Sequence, residues 1–187
     1  DLSGSQSFGS AGKSKKEVSA ELAAVLAFSA LQNNDKVGLF LFTGVPELFI
    51  APRKGRLHVL KIIRSLLAFE PAGRGTAIGP CLDTLNRMLR RRGILVLVSD
   101  FQDAGYERTL RRTARKHDLI PVLVEDARER DLPELPAYLD LEDPETGERV
   151  LSRPDRLLRE AYSRRGEAAR AAIEAAFRSA AVEPIRV

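Results

Sequence analysis

An α/β fold is expected from this sequence, with a mostly parallel sheet and helices on both faces. Short apolar runs of strand length alternate with longer segments whose apolar residues recur at helical spacing. Their order is helix, strand, strand, helix, helix, strand, helix, strand, and alternation of this kind builds a sheet crossed over by helices. The chain has 187 residues, of which 44% are hydrophobic and 30% charged. That suffices for one domain with its own core, is tight for two, and is neither disordered nor fibrous.

The elements follow in order. After the basic stretch Lys13–Lys16, Glu17–Gln32 reads as a helix with Val18, Leu22, Val25, Ser29 and Gln32 along one face. Leu22–Phe28 is almost wholly apolar, so much of its circumference should be buried. Val37–Phe42 is short, continuous and rich in Phe, the pattern of a buried strand. Glu47–Ala51 returns as an antiparallel edge strand between Pro46 and Pro52, at strand ends where proline is tolerated. Arg56–Phe69 carries Leu57, Leu60, Ile63 and Leu67 at helical spacing.

Glu70–Gly75 is a Pro/Gly loop, Thr76 stands at an N-cap position, and Ala77–Arg92 follows as a helix stopped by Gly93. Ile94–Val98 and Leu119–Val124 are apolar strands flanking the basic helix Tyr106–Lys116. Ala137–Glu142 and Glu148–Ser152 flank Asp143-Pro144-Glu145-Thr146-Gly147, so 137–152 reads as an inserted surface hairpin. Pro154–Ala181 is a long helix, and Val182–Val187 a last strand.

Composition excludes several functions. One cysteine, Cys81, forms no disulfide framework and no cysteine-based zinc cluster. Two histidines, His58 and His117, leave little for a His-rich metal site. No apolar run reaches the roughly 18 residues of a membrane span. A cytoplasmic segment is the expectation, compatible with a membrane anchor upstream of Asp1. The formal net charge is +4, with 30 basic and 26 acidic residues. Nucleic-acid binders are usually more lopsided, and the Arg-rich helices lack interleaved aromatics.

Three segments carry candidate chemistry: Asp1-Leu2-Ser3-Gly4-Ser5, Gly73-Arg74-Gly75-Thr76 and Ser99-Asp100. Each lies in a loop after a strand or before a helix. In open α/β sheets ligands bind at the carboxyl ends of strands, so the three are expected at one rim. Ser3, Ser5, Thr76, Asp1 and Asp100 offer only hard oxygen donors, which suit Mg²⁺ or Mn²⁺ rather than zinc or copper. If the hydroxyls bind directly and the carboxylates act through water, the ion is under-neutralised. A carboxylate from a protein partner then completes the site.

Two other classes use the same residues less well. A hydrolase with Asp1 as nucleophile needs a second acid/base carboxylate two residues on, where this chain has Ser3. Gly73-Arg74-Gly75-Thr76 lacks the lysine of a P-loop. Metal-dependent hydrolysis and nucleic-acid binding through the Arg-rich helices stand as alternatives to protein binding.

Asp1-x-Ser3-x-Ser5, Thr76 after a Gly-x-Gly loop, and Asp100 at a strand end resemble the metal-ion-dependent adhesion site of von Willebrand factor A-like domains. Four further segments resemble the bacterial family called domain of unknown function 58. They are Asn34-Asp35-Lys36-Val37-Gly38-Leu39, Pro52-Arg53-Lys54-Gly55-Arg56-x-His58-Val59-Leu60, Ser99-Asp100-Phe101-x-Asp103 and Leu141-Glu142-Asp143-Pro144-Glu145-Thr146-Gly147. The resemblance implies a Rossmann-like sheet, a bound Mg²⁺, pairing with a MoxR-type AAA+ ATPase or its client, and no enzymatic activity. It implies Ser3, Ser5 and Thr76 as direct ligands, with Asp1 and Asp100 holding waters or approaching the ion. Many relatives carry Asp after the Thr, where this chain has Ala77, which should weaken the metal's hold. The resemblance also implies that residues 1–187 are a single domain lacking its first, central strand before Asp1 and a helix after Val187.

Overall fold

The computed structural model describes residues 1–3, 14–73, 75–126, 139–142, 149–152 and 155–187. The elements run α1 (Lys15–Gln32), β1 (Val37–Phe42), β2 (Pro46–Arg53), α2 (Arg56–Leu67), α3 (Ile78–Met88), β3 (Ile94–Ser99) and α4 (Glu107–Lys116). They continue with β4 (Asp118–Leu123), β5 (Leu139–Glu142), β6 (Arg149–Ser152), α5 (Arg156–Ala180) and β7 (Ile185–Arg186). This is a mixed α/β architecture in the expected order, with helices flanking strands.

Among the described residues the strands fall into three separate sheets rather than one mostly parallel sheet. β1 and β2 pair antiparallel, with Phe40 opposite Phe49 and Leu41 opposite Leu48. β3, β4 and β7 form a separate parallel sheet in that order, and β5 pairs antiparallel with β6. The physical reason lies in what stands between β1 and β3. The Asp1 backbone nitrogen donates to Val98 O at 3.2 Å, and Leu2 N–H donates to Phe42 O at 2.8 Å. The opening residues therefore bridge the ends of β1 and β3, giving one carbonyl of each a donor.

The hairpin strands match the expected 137–152 insertion. Its tip and the 127–138 loop lie outside the described residues. β7 is shorter than expected because Val182 closes α5. Ala181 turns left-handed at φ 54°, and Val182 N–H returns to Phe177 O. α3 ends at Met88, so Arg90-Arg91-Arg92 follow the helix, while Leu89 turns extended and packs on the core.

Two buried clusters hold the molecule. The larger joins α3, α4 and α5 to β3 and β4 through Ile78, Leu82, Leu97, Leu110, Leu123 and Phe177. The smaller packs Leu2 against Ala20 of α1, Leu41 of β1 and Leu66 of α2. Leu2 thus anchors the first residues, which places Asp1 and Ser3 beside the ends of β1 and β3.

Candidate functional site

The rim forms where β1 and β3 end. Asp1 is its first organiser. Its Oδ1 accepts from Ser3 N–H at 2.9 Å, and its Oδ2 accepts from the Ser99 hydroxyl. Ser99 Oγ also accepts from Phe101 N–H at 3.0 Å. One carboxylate thereby ties the Asp1–Ser3 segment to the turn that carries Asp100. Ser3, Ser99 and Asp100 are all buried.

Asp100 sits in a tight turn. Its Oδ1 accepts from Gln102 N–H at 3.3 Å, and its Oδ2 lies 2.8 Å from Lys15 Nζ. The next residue, Phe101, is held at φ 57°, a left-handed conformation that costs a bulky residue about 1–3 kcal/mol. Packing holds it there. The Phe101 ring is fully buried and meets Phe177 of α5 edge-on at 4.8 Å, while its carbonyl accepts from Tyr106 OH at 3.4 Å.

The two residues after Thr76 tie its loop to the rim. Ala77 N–H donates to Thr43 O at 3.2 Å, fixing the loop before α3 against the end of β1. Ile78 N–H donates to Asp103 Oδ2 at 2.8 Å. Thr76 is not the helix cap: Ala77 occupies that position without a side-chain bond, and Asp103 supplies the missing anion from the β3–α4 turn. The loop before α3 is pinned a third time by Glu47, whose Oε1 accepts from Thr43 Oγ1 at 2.8 Å and from Gly73 N–H at 2.7 Å. These donors, Gly73 N–H first and Thr43 hydroxyl second, hold the Glu47 carboxyl below its usual range.

Of the five expected site residues, Asp1, Ser3 and Asp100 are thus connected through Ser99. The loop that carries Thr76 is tied to the same rim by its neighbours, Ala77 N–H on Thr43 O and Ile78 N–H on Asp103 Oδ2. Ser5 lies outside the described residues. Sequence reasoning named Ser99 and Asp103 within motifs but gave them no role, and it missed the contact of Lys15 with Asp100 and the Thr43–Glu47 brace. Ser14-x-x-Glu17 was a readable capping box, and it starts α1 at Lys15 rather than Glu17.

The two histidines stand apart from the rim. His58 Nε2 lies 2.9 Å from Val37 O. His117 follows α4 and precedes β4, whose first residue pairs with Ile94 at the start of β3. Asp100 follows the other end of β3, about 16 Å along a six-residue strand. Burial pushes the Cys81 thiol up to about 11, so it stays protonated at neutral pH.

Fold and rim define a mixed α/β protein that gathers hydroxyls and carboxylates at the carboxyl ends of its strands. Residues 1–172 match the family described as "Protein of unknown function DUF58", and the chain belongs to that family. It is 29% identical over 181 residues to uncharacterized protein Rv1480 of Mycobacterium tuberculosis, covering 95% of this chain and 57% of the relative. It is also 29% identical over 133 residues to uncharacterized protein MAV169 of Mycobacterium avium, covering 70% of this chain and 78% of that one. The chain spans little more than half the length of the first of these.

Among solved structures it resembles the conserved hypothetical protein BatB from Bacteroides thetaiotaomicron, with TM-score 0.58 and 16% identity over 100% of this chain and 86% of that one. It also resembles an aerotolerance-related membrane protein from Bacteroides fragilis, with TM-score 0.56 and 17% identity over 96% and 94%. These likenesses speak to the fold alone.

Proposed function

We propose that this chain is a von Willebrand factor A-like, Rossmann-like interaction domain that binds one divalent cation and uses it to grip an acidic residue of a protein partner. The observation that carries the reading is the Asp1 carboxylate, which joins Ser3 to the Ser99-Asp100 turn at the rim that the loop before α3 also reaches. The donor set fits Mg²⁺ or Mn²⁺. Asp1, Ser3, Thr76 and Asp100 present oxygen only, the hard donors these ions take. Ser3, Thr76 and Ser5 would hold the ion, and Asp1 and Asp100 its waters. When bound, the cation supplies a point of attachment for a carboxylate.

Interaction is favoured over hydrolysis by the histidines. His58 is engaged with Val37, and His117 lies at the far end of β3, so neither serves Ser3 as a base. The partner class, a MoxR-type AAA+ ATPase or its client in a chaperone-like or assembly role, follows from the family resemblance. No helix among the described residues is long and apolar enough to cross a membrane.

Calorimetry with Mg²⁺ and Mn²⁺ tests the reading. The wild-type protein should bind one ion, and Ser3→Ala with Thr76→Ala should abolish the heat. Unchanged affinity in that double variant would sink the assignment. Capture of partners from a lysate by the full-length protein should then depend on the ion and fail in EDTA.

A further inference from the structure

Helix α1 delivers a positive charge to the rim. The Ser14 hydroxyl accepts from Glu17 N–H at 3.2 Å, and Glu17 Oε2 accepts from Ser14 N–H at 2.7 Å, so the helix begins at Lys15. A cation in the first turn opposes the helix dipole, and lysine normally carries its ammonium in water. Lys15 does neither of the favourable things. Its side chain is 3% exposed, and Nζ lies 2.8 Å from an Asp100 carboxylate that is 1% exposed. A placement unfavourable on both counts is retained only where the opposite charge beside it is itself buried.

The charge count at the rim changes accordingly. Of the side chains assigned to the ion, Asp1 and Asp100 contribute two negative charges, and Lys15 removes one; Asp103 and Glu47, which brace the neighbouring loops, are the same in either case. A divalent ion entering beside Lys15 meets a net −1 from this group and leaves it at +1. Without Lys15 it would meet −2 and leave the group neutral.

We propose that the Lys15 ammonium is a tethered cation that shares Asp100 with the divalent ion, holding metal affinity down and leaving the occupied rim positive for an incoming carboxylate. This deepens the metal-site reading above and rests on it. The class of ligand it favours is an acidic side chain bound together with the metal. Affinity for the metal alone is correspondingly modest.

The test compares wild type with Lys15→Gln by calorimetric titration of Mg²⁺ and Mn²⁺, and by thermal midpoint against Mg²⁺ concentration. Removing the like charge should tighten metal affinity at least about tenfold. The variant should melt lower than wild type without metal and recover as Mg²⁺ is added. Equal or weaker affinity in Lys15→Gln, with wild-type binding still abolished by Ser3→Ala and Thr76→Ala, overturns this inference and spares the metal site. Absence of binding in both proteins overturns the metal site and this inference with it.

A measurement on the wild-type protein covers the case in which the variant does not fold. The ¹⁵N resonance of Lys15 Nζ should shift as Mg²⁺ saturates the site. An unmoved resonance at saturation refutes the sharing of Asp100.

Discussion

Gly73→Ala is the sharpest probe of how the rim is held. A Cβ built at Gly73 would fall 2.3 Å from Thr43 Oγ1, 2.8 Å from Glu47 Oε1 and 3.3 Å from Val45 Cγ2. Thr43 is wholly buried and bonded to Glu47, so it has no room to retreat. Overpacking of this kind costs about 1–3 kcal/mol. Losing the Thr43–Glu47 hydrogen bond adds about 1 kcal/mol, kept low because Glu47 is partly exposed. The stiffer unfolded chain returns about 0.4–1 kcal/mol. The net loss is about 2 kcal/mol, which for a chain of this size lowers the melting midpoint by about 4–8 °C.

Urea unfolding of wild type, Gly73→Ala, Thr43→Ala and the double variant measures this directly. Removing the Thr43 side chain makes room for the new methyl. The double variant should therefore lose less than the sum of the singles, by about 1 kcal/mol or more. Additive losses, or a Gly73→Ala protein as stable as wild type, would refute the claim that this contact closes the loop before α3.

Two further outcomes are expected. Asp103→Ala should cost about 1 kcal/mol by uncapping α3, while Asp103→Asn should retain most of that stability; equal losses in urea unfolding would argue against the cap. His117 is buried, neither ring nitrogen has a hydrogen-bond partner among the described residues, and burial, with Lys116 and Arg92 nearby, lowers its pKa. The unfolded state takes up the proton first, near pH 6.5, so stability should fall as pH drops below about 6.5. His117→Leu should flatten the urea midpoint between about pH 7 and about pH 5.5, and an unaltered slope would exclude His117 as its source.

The element order was legible because it depends on local periodicity. Val37–Phe42 and Ile94–Val98 read as strands from five or six consecutive residues, and both are strands. What escaped depends on distant partners. Thr76 has the right chemistry and position for a cap, yet the anion on α3 comes from Asp103, 25 residues after the Ile78 amide it receives. Lys15 sits in the basic stretch before the first helix, and nothing local shows that it turns inward to Asp100. The Asp1 and Ser99-Asp100 segments were expected at one rim, but not that the Ser99 hydroxyl, 98 residues away, would be the group that Asp1 receives.

The cap that Asp103 provides has a consequence for modularity. The 99–103 turn and the loop before α3 are distant in sequence, yet each completes the other, one supplying the anion and one the free amide. They are a single transferable part. A graft that carried only residues 70–77 onto another α/β frame would deliver Thr76 on a helix with a frayed start. One that carried only 99–103 would deliver Asp103 with no amide to receive it.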